Sequence, residues 1–165
     1  MKNEGATMRI EVNVSEQTLV LHRDELPPQQ YSVSTALNGV GQQEGSGCTP
    51  LGKHRVRARI GAEQVSGAVF VGRRPTGEVW TGELAQQFPR RDWILSRILW
   101  LCGEEPGYNR LGDVDSMRRF IYIHGTPDIE PMGIAGSHGC IRMRNTDIIE
   151  LFGLVPVGCP VLIRE

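Results

Sequence analysis

The chain has 165 residues, 39% of them hydrophobic and 22% charged, which fits one folded domain with its own core and excludes a disordered or fibrous chain. Eighteen Lys and Arg stand against nineteen Asp and Glu, a formal net charge of -1, so the composition offers no basic field for nucleic acid or an anionic membrane. No apolar run approaches the ~18 residues of a membrane span. No charged and then apolar leader precedes the first strand pattern, which predicts a cytoplasmic chain, or a periplasmic one if a leader had been removed.

Residues 1–7 are polar. Residues 8–14 place an apolar side chain at every second position, residues 15–17 suit a turn, and residues 18–22 return, so a hairpin is predicted. Pro27 and Pro28 break the pattern, and residues 30–37 form the next strand. A turn-rich loop over 39–52 leads to residues 54–60, where basic and apolar side chains alternate as in a strand with one wet face. Short strands are predicted at 69–71 and 78–81 around a turn at 73–77. Between 92 and 102 the period changes: Ile94, Leu95, Ile98, Leu99 and Leu101 have helical spacing, with Trp93 and Trp100 beside them, which predicts a short amphipathic helix. Gly82, Gly103 and Gly107 would let residues 83–118 move as a lid. Residues 120–123 form a strand that delivers His124 at its end, Asn145 caps a short helix over 146–152, and residues 161–163 close the chain as a strand. The sum is a mainly β single domain over 1–165, a sandwich or open barrel with one or two short helices.

Two motifs are weak on chemical grounds. Residues 47–53 have the spacing of a phosphate-binding loop, but His54 stands where Ser or Thr would hold magnesium, Pro50 removes a backbone donor, and a strand follows instead of a helix. Cys48, Cys102, Cys140 and Cys159 form no Cys-x-x-Cys pair, which argues against a zinc ribbon or a dithiol redox site. Cys48, Cys102 and Cys159 are expected to be small buried side chains or loop thiols.

The remaining cysteine is in denser company. Ser137-His138-Gly139-Cys140-Ile141-Arg142 follows His124-Gly125-Thr126. A thiolate is the nucleophile of cysteine chemistry and needs a base or a lowered pKa, and two histidines are at hand. Gly139 permits a backbone geometry that presents the thiol and aims N–H groups at an oxyanion. A metal site built from His124, His138 and Cys140 is the competing reading, although no fourth ligand stands at a telling spacing.

Ile123-His124-Gly125-Thr126, Gly133, Ser137-His138-Gly139-Cys140-Ile141-Arg142-Met143, Asn145 and Asp147 together resemble the signature of the L,D-transpeptidase (YkuD-type) catalytic domain. Val33-Ser34-Thr35 with Thr49-Pro50-Leu51-Gly52, and Val155-Pro156-Val157-Gly158, are similar to its early and C-terminal regions. The resemblance implies a β-sandwich-like fold and a peptidoglycan stem peptide or muropeptide as substrate, with no metal or other cofactor. It implies Cys140 as nucleophile, His124 as base and the Gly125 backbone as orienter of the imidazole. Ser137 and His138 would line the cleft, Gly139 and Cys140 would supply oxyanion donors, and Arg142 would hold a substrate carboxylate. The thioester would be resolved by water, giving an L,D-carboxypeptidase acting on soluble tetrapeptides in murein recycling, or by an amine, giving a wall cross-link. Carbapenem-type inhibitors would acylate the same thiol. A non-catalytic muropeptide-binding module is the reading from a different class.

Overall fold

The alternating pattern near the start folds as a hairpin, β1 (Met8–Asn13) and β2 (Thr18–Arg23), which turns Ile10, Val12, Leu19 and Leu21 into the core. A computed structural model describes residues 7–165, and the polar stretch over 1–6 lies outside the described residues. The chain continues through β3 (Gln29–Ser34), β4 (Gly52–Ile60), β5 (Ala68–Val71), β6 (Arg74–Val79), α1 (Gly82–Gln87) and β7 (Ile94–Gly103). It ends with β8 (Tyr122–Thr126), β9 (Ile141–Arg144), α2 (Asn145–Leu154) and β10 (Pro160–Arg164). Among the described residues the strands make one sheet in the order β4-β10-β1-β2-β3-β9-β8-β7-β5-β6. An added β4–β7 pairing closes its first eight strands into a barrel-like sandwich. Among the described residues the fold is mainly β with two short α-helices. The β5–β6 hairpin hangs outside the closed part, on the first residues of β7.

The predicted helix over 92–102 is a strand. β7 pairs with β4, β5 and β8, and eight of its ten residues are buried, so both its faces carry apolar side chains. A fully buried strand lacks the alternation that marks a half-buried one. A bulge adds the helical look: Leu95 faces Gly125 while Ile98 faces its chain neighbour His124, so Ser96 and Arg97 are extra. They push the apolar residues to the spacing of three and four that a helix would show. Because β7 runs through the middle of 83–118, that stretch is no single lid.

Three smaller differences have local causes. The turn between β5 and β6 is Gly72-Arg73, both at positive φ, so Arg74 to Gly77 belong to β6. Phe120, at φ +56°, and Ile121 precede β8, which starts at Tyr122 and carries His124 mid-strand. Asn145 is the first residue of α2 and does not cap it. Its Nδ2 donates to the Thr126 carbonyl at 2.9 Å and to Asp128, and its Oδ1 accepts from the Ser96 hydroxyl at 2.5 Å, so it ties the bulge of β7 to the end of β8. Residues 47–53 run straight into β4, with no helix after them.

Candidate active site

The parallel pair β8–β9 sorts the site by strand parity. His124 lies opposite Arg142 and Ile123 opposite Ile141. Successive side chains alternate, so Ile121, Ile123, Ile141 and Met143 enter the main core with Ile148, Leu151 and Phe152 of α2. Tyr122, His124, Cys140 and Arg142 are left on the opposite face, where they line one cleft of about 460 Å³ with Asp92, Ser137, His138, Arg73 and Arg119.

His124 is buried, and its Nδ1–H donates to the Gly125 carbonyl at 2.6 Å. A carbonyl only accepts, so in the neutral ring the proton sits on Nδ1 and Nε2 keeps its lone pair. Burial lowers the His124 pKa below the ordinary imidazole value, more than the Gly125 bond and the Asp92 charge raise it. The Cys140 thiol is pushed up to about 12 by burial, against the Tyr122 N–H bond, Arg142 and Arg119, which favour the thiolate. At rest the pair is therefore neutral thiol and neutral imidazole. The Cys140 S–H donates to the Phe120 carbonyl at 3.2 Å, and the Tyr122 N–H donates to Sγ at 3.3 Å.

Gly139 sits at φ +133°, where a side chain would be strained, and its Cβ would meet the Cys48 carbonyl at 3.3 Å. The Gly139 N–H, expected to face an oxyanion, points at Ser137 Oγ at 3.2 Å, while the Ser137 hydroxyl donates to the Cys140 carbonyl at 2.5 Å. Ser137 thus sets the shape of the turn that carries the cysteine. His138 is exposed on the rim, with Nδ1 3.7 Å from Asp92. Arg142 does not stand free for a substrate carboxylate: Nη2 donates to Asp92 at 3.0 Å and Nη1 to the Gly136 carbonyl at 3.0 Å. Among the described residues no three His, Cys, Asp or Glu side chains converge as metal ligands, which leaves the metal reading of His124, His138 and Cys140 without support. No described helix is long and apolar enough to cross a membrane.

Sequence reasoning missed Asp92. Burial would raise its pKa, but His124, Arg142 and His138 together hold the carboxyl below its usual range. It reaches Arg142 across 50 positions of sequence, from the segment before β7, and no local motif marks it. The Tyr122 N–H is also a contributor that side-chain motifs cannot reveal.

Gly125 is a glycine for lack of space. A Cβ there would lie 2.4 Å from the Leu95 carbonyl and 2.7 Å from Asn145 Oδ1. Gly125→Ala is expected to cost about 3 kcal/mol, the upper part of the overpacking range, and to slow any chemistry that uses the carbonyl on His124. Urea unfolding with an unchanged m value checks the first part; an unshifted midpoint would mean that β7 yields.

A family model described as the L,D-transpeptidase catalytic domain (YkuD) matches residues 7–163. The chain is 47% identical to the putative L,D-transpeptidase YqjB of Bacillus subtilis over 47 residues, 28% of this chain and 27% of that protein. It is 54% identical to the putative L,D-transpeptidase YkuD of the same organism over 43 residues, 26% of each. These matches thus span about a quarter of the curated relatives' length. Among solved structures it is similar to L,D-transpeptidase 3 from Mycobacterium tuberculosis in complex with a faropenem-derived adduct. The TM-score is 0.57 at 17% identity, over 98% of this chain and 61% of that one, a likeness of fold.

Proposed function

The chain belongs to the L,D-transpeptidase catalytic domain family, and from that membership we propose that it is one catalytic domain performing cysteine-dependent acyl transfer on peptidoglycan stem peptides. The observation that carries the reading is the shared cleft: Cys140 and His124 line the same cavity, and the Gly125 carbonyl leaves the Nε2 lone pair of His124 as the base. As Cys140 Sγ attacks the carbonyl that joins the L-centre of the diamino acid to terminal D-alanine, Nε2 takes the thiol proton. A C–S bond forms. The imidazolium then protonates the departing amine, the C–N bond breaks, and D-alanine leaves behind a thioester. An acceptor gives its proton to Nε2 and attacks the thioester, returning the sulfur as leaving group. Gly125 acts as orienter, in the place a carboxylate takes in a Ser-His-Asp triad. The donors of the tetrahedral intermediate are proposed to be the Cys140 N–H, with the Gly139 N–H after it leaves Ser137 Oγ.

Water is the proposed acceptor, which makes the protein an L,D-carboxypeptidase on soluble tetrapeptide fragments of the kind met in murein recycling, in the cytoplasm. A cleft of about 460 Å³ suits one short peptide. The second reading, an amine acceptor and a 3-3 cross-link, is favoured by an adjoining 180 Å³ hollow beyond Asp92 and Arg142, lined also by Trp93 and Glu130. Incubation with a defined tetrapeptide, with and without an amine acceptor, separates the two. Tripeptide and free D-alanine are expected, and cross-linked dimer without tripeptide would reject the choice of water. A carbapenem adduct in the intact mass, absent in Cys140→Ala, is expected as well; its absence from the parent protein would return the muropeptide-binding module.

A further inference from the structure

The family signature assigns the substrate's carboxylate to Arg142, but both terminal nitrogens of that guanidinium are taken up and its unpartnered Nε is buried. Its Nη2 is on Asp92, its Nη1 is on the Gly136 carbonyl, and its side chain is only 12% exposed. Arg119, the second cation of the cleft, is engaged too: Nη1 meets the carbonyls of Gly41 and Gln42, and Nη2 meets the Cys48 carbonyl and Ser46 Oγ. Both arginines hold the site together.

Arg73 is different. Among the described residues its guanidinium bonds one neutral group, the Tyr122 hydroxyl at 3.0 Å from Nη1, and pairs with no carboxylate. It lies over the Trp100 ring at 4.6 Å and near the Phe120 ring at 5.0 Å. Those rings belong to one aromatic shelf, with Trp100 and Phe120 centroids 6.3 Å apart and Trp100 edge-on to Tyr122 at 5.9 Å. The shelf supports the planar fork by cation–π attraction, so little rotamer freedom remains to be lost when an anion arrives. The backbone at this corner is unusual for an arginine. Gly72 and Arg73 both have positive φ in the β5–β6 turn, a geometry that favours Gly, Asn or Asp over Arg. Tyr122 then links this cation to the nucleophile: its hydroxyl accepts from Arg73, and its own N–H donates to Cys140 Sγ at 3.3 Å.

We propose that Arg73 is a specificity-determining residue that holds a free carboxylate of the acyl-donor peptide one tyrosine away from Cys140. The protein is thereby selective for stem peptides in which that one carboxylate is not amidated. The inference rests on the stem-peptide reading of the cleft. The guanidinium fork meets the carboxylate from the side left open by the aromatic shelf, and an amide there would return one oxygen in place of two and no charge.

Calorimetric titration of the Cys140→Ala protein tests binding apart from turnover. The probes are the tetrapeptide and versions of it with each carboxylate singly amidated. Adding Arg73→Met, which keeps apolar packing on Trp100 and Phe120, is expected to weaken tetrapeptide binding roughly 10- to 100-fold, the range for a hydrogen bond to a charged group. One amidated peptide should show the same loss with Arg73 present, and no further loss once Arg73→Met is added. Equal affinities for the free tetrapeptide with and without Arg73→Met would overturn the proposal. If no tetrapeptide binds at all, the stem-peptide reading fails, and Arg73 is read from the acylation of Cys140 by a carbapenem and by its methyl ester. The acid should be favoured and the preference should vanish in Arg73→Met; an unchanged preference would overturn the assignment.

Discussion

Replacing His124 with alanine is expected to slow acylation of Cys140 about 10³-fold at pH 7, within the range for loss of a general base. With the thiol pushed up to about 12, its thiolate fraction at pH 7 is on the order of 10⁻⁵. A standing thiolate therefore cannot carry the reaction, and the proton must leave during attack. Only a neutral imidazole accepts it, and burial keeps His124 neutral to below the ordinary imidazole value. The sign of the pH dependence follows. The parent should hold its rate as pH falls through ~6.5, the ordinary imidazole value, and lose it only below, when Nε2 becomes protonated. In His124→Ala hydroxide must ionise the thiol, so the residual rate should climb about tenfold per pH unit. Acylation by a carbapenem, followed by intact mass from mildly acidic to mildly alkaline pH, reads both curves. A variant within about tenfold of the parent at pH 7, or a rate independent of pH in the variant, would mean a preformed thiolate and would contradict the neutral resting pair.

The two residues of that experiment are legible in the sequence because each sits in a local motif. Ser137-His138-Gly139-Cys140 encodes a glycine turn and His124-Gly125 follows a strong strand pattern, both of which short-range chemistry can interpret, although β8 carries His124 mid-strand rather than at its end. The β1–β2 hairpin and β4 are legible for the same reason, since one face of each is buried and the alternation survives. What the sequence hides is whatever topology assembles. Asp92 and Arg73 reach the cleft from segments before and between strands, and neither is spaced from Cys140 in a way that periodicity could reveal. β7 is hidden by its own centrality, buried on both faces and bulged at Ser96-Arg97. The bulge has a function in the fold: Ser96 Oγ accepts from the Gly67 N–H and its hydroxyl donates to Asn145. It therefore links the outer hairpin, the helix start and, through Asn145, the strand that carries His124. The role expected for Arg142 came from the motif alone, and a motif does not contain Asp92.

The second large effect concerns stability. His54 is 1% exposed; its Nε2 lies 2.8 Å from Ser116 Oγ and its Nδ1 lies 3.0 Å from the Gly52 carbonyl. Burial lowers its pKa to about 4, and the Gly52 bond and Glu105 offset only part of that, with Arg119 adding to it. Unfolded, it would titrate near ~6.5. The unfolded chain therefore binds a proton first, and stability is full above that value and falls as pH drops toward 4. The whole interval is worth about 3 kcal/mol, of which about 2 kcal/mol should be lost between about pH 7.5 and pH 5. His124, lowered in the same direction, adds to the slope. Carboxylates are shared by the two proteins compared and so cancel: Glu11, Glu78, Asp92 and Asp115 are held below their ordinary values, and Asp147 is pushed above its own by burial. Urea unfolding at about pH 7.5 and pH 5 should show the parent losing more stability than His54→Gln by about 2 kcal/mol. If the two proteins lose the same amount, His54 is protonated inside the fold, with Ser116 and Glu105 stabilising the imidazolium. The barrel's acid sensitivity would then come from His124 and from the carboxylates held low.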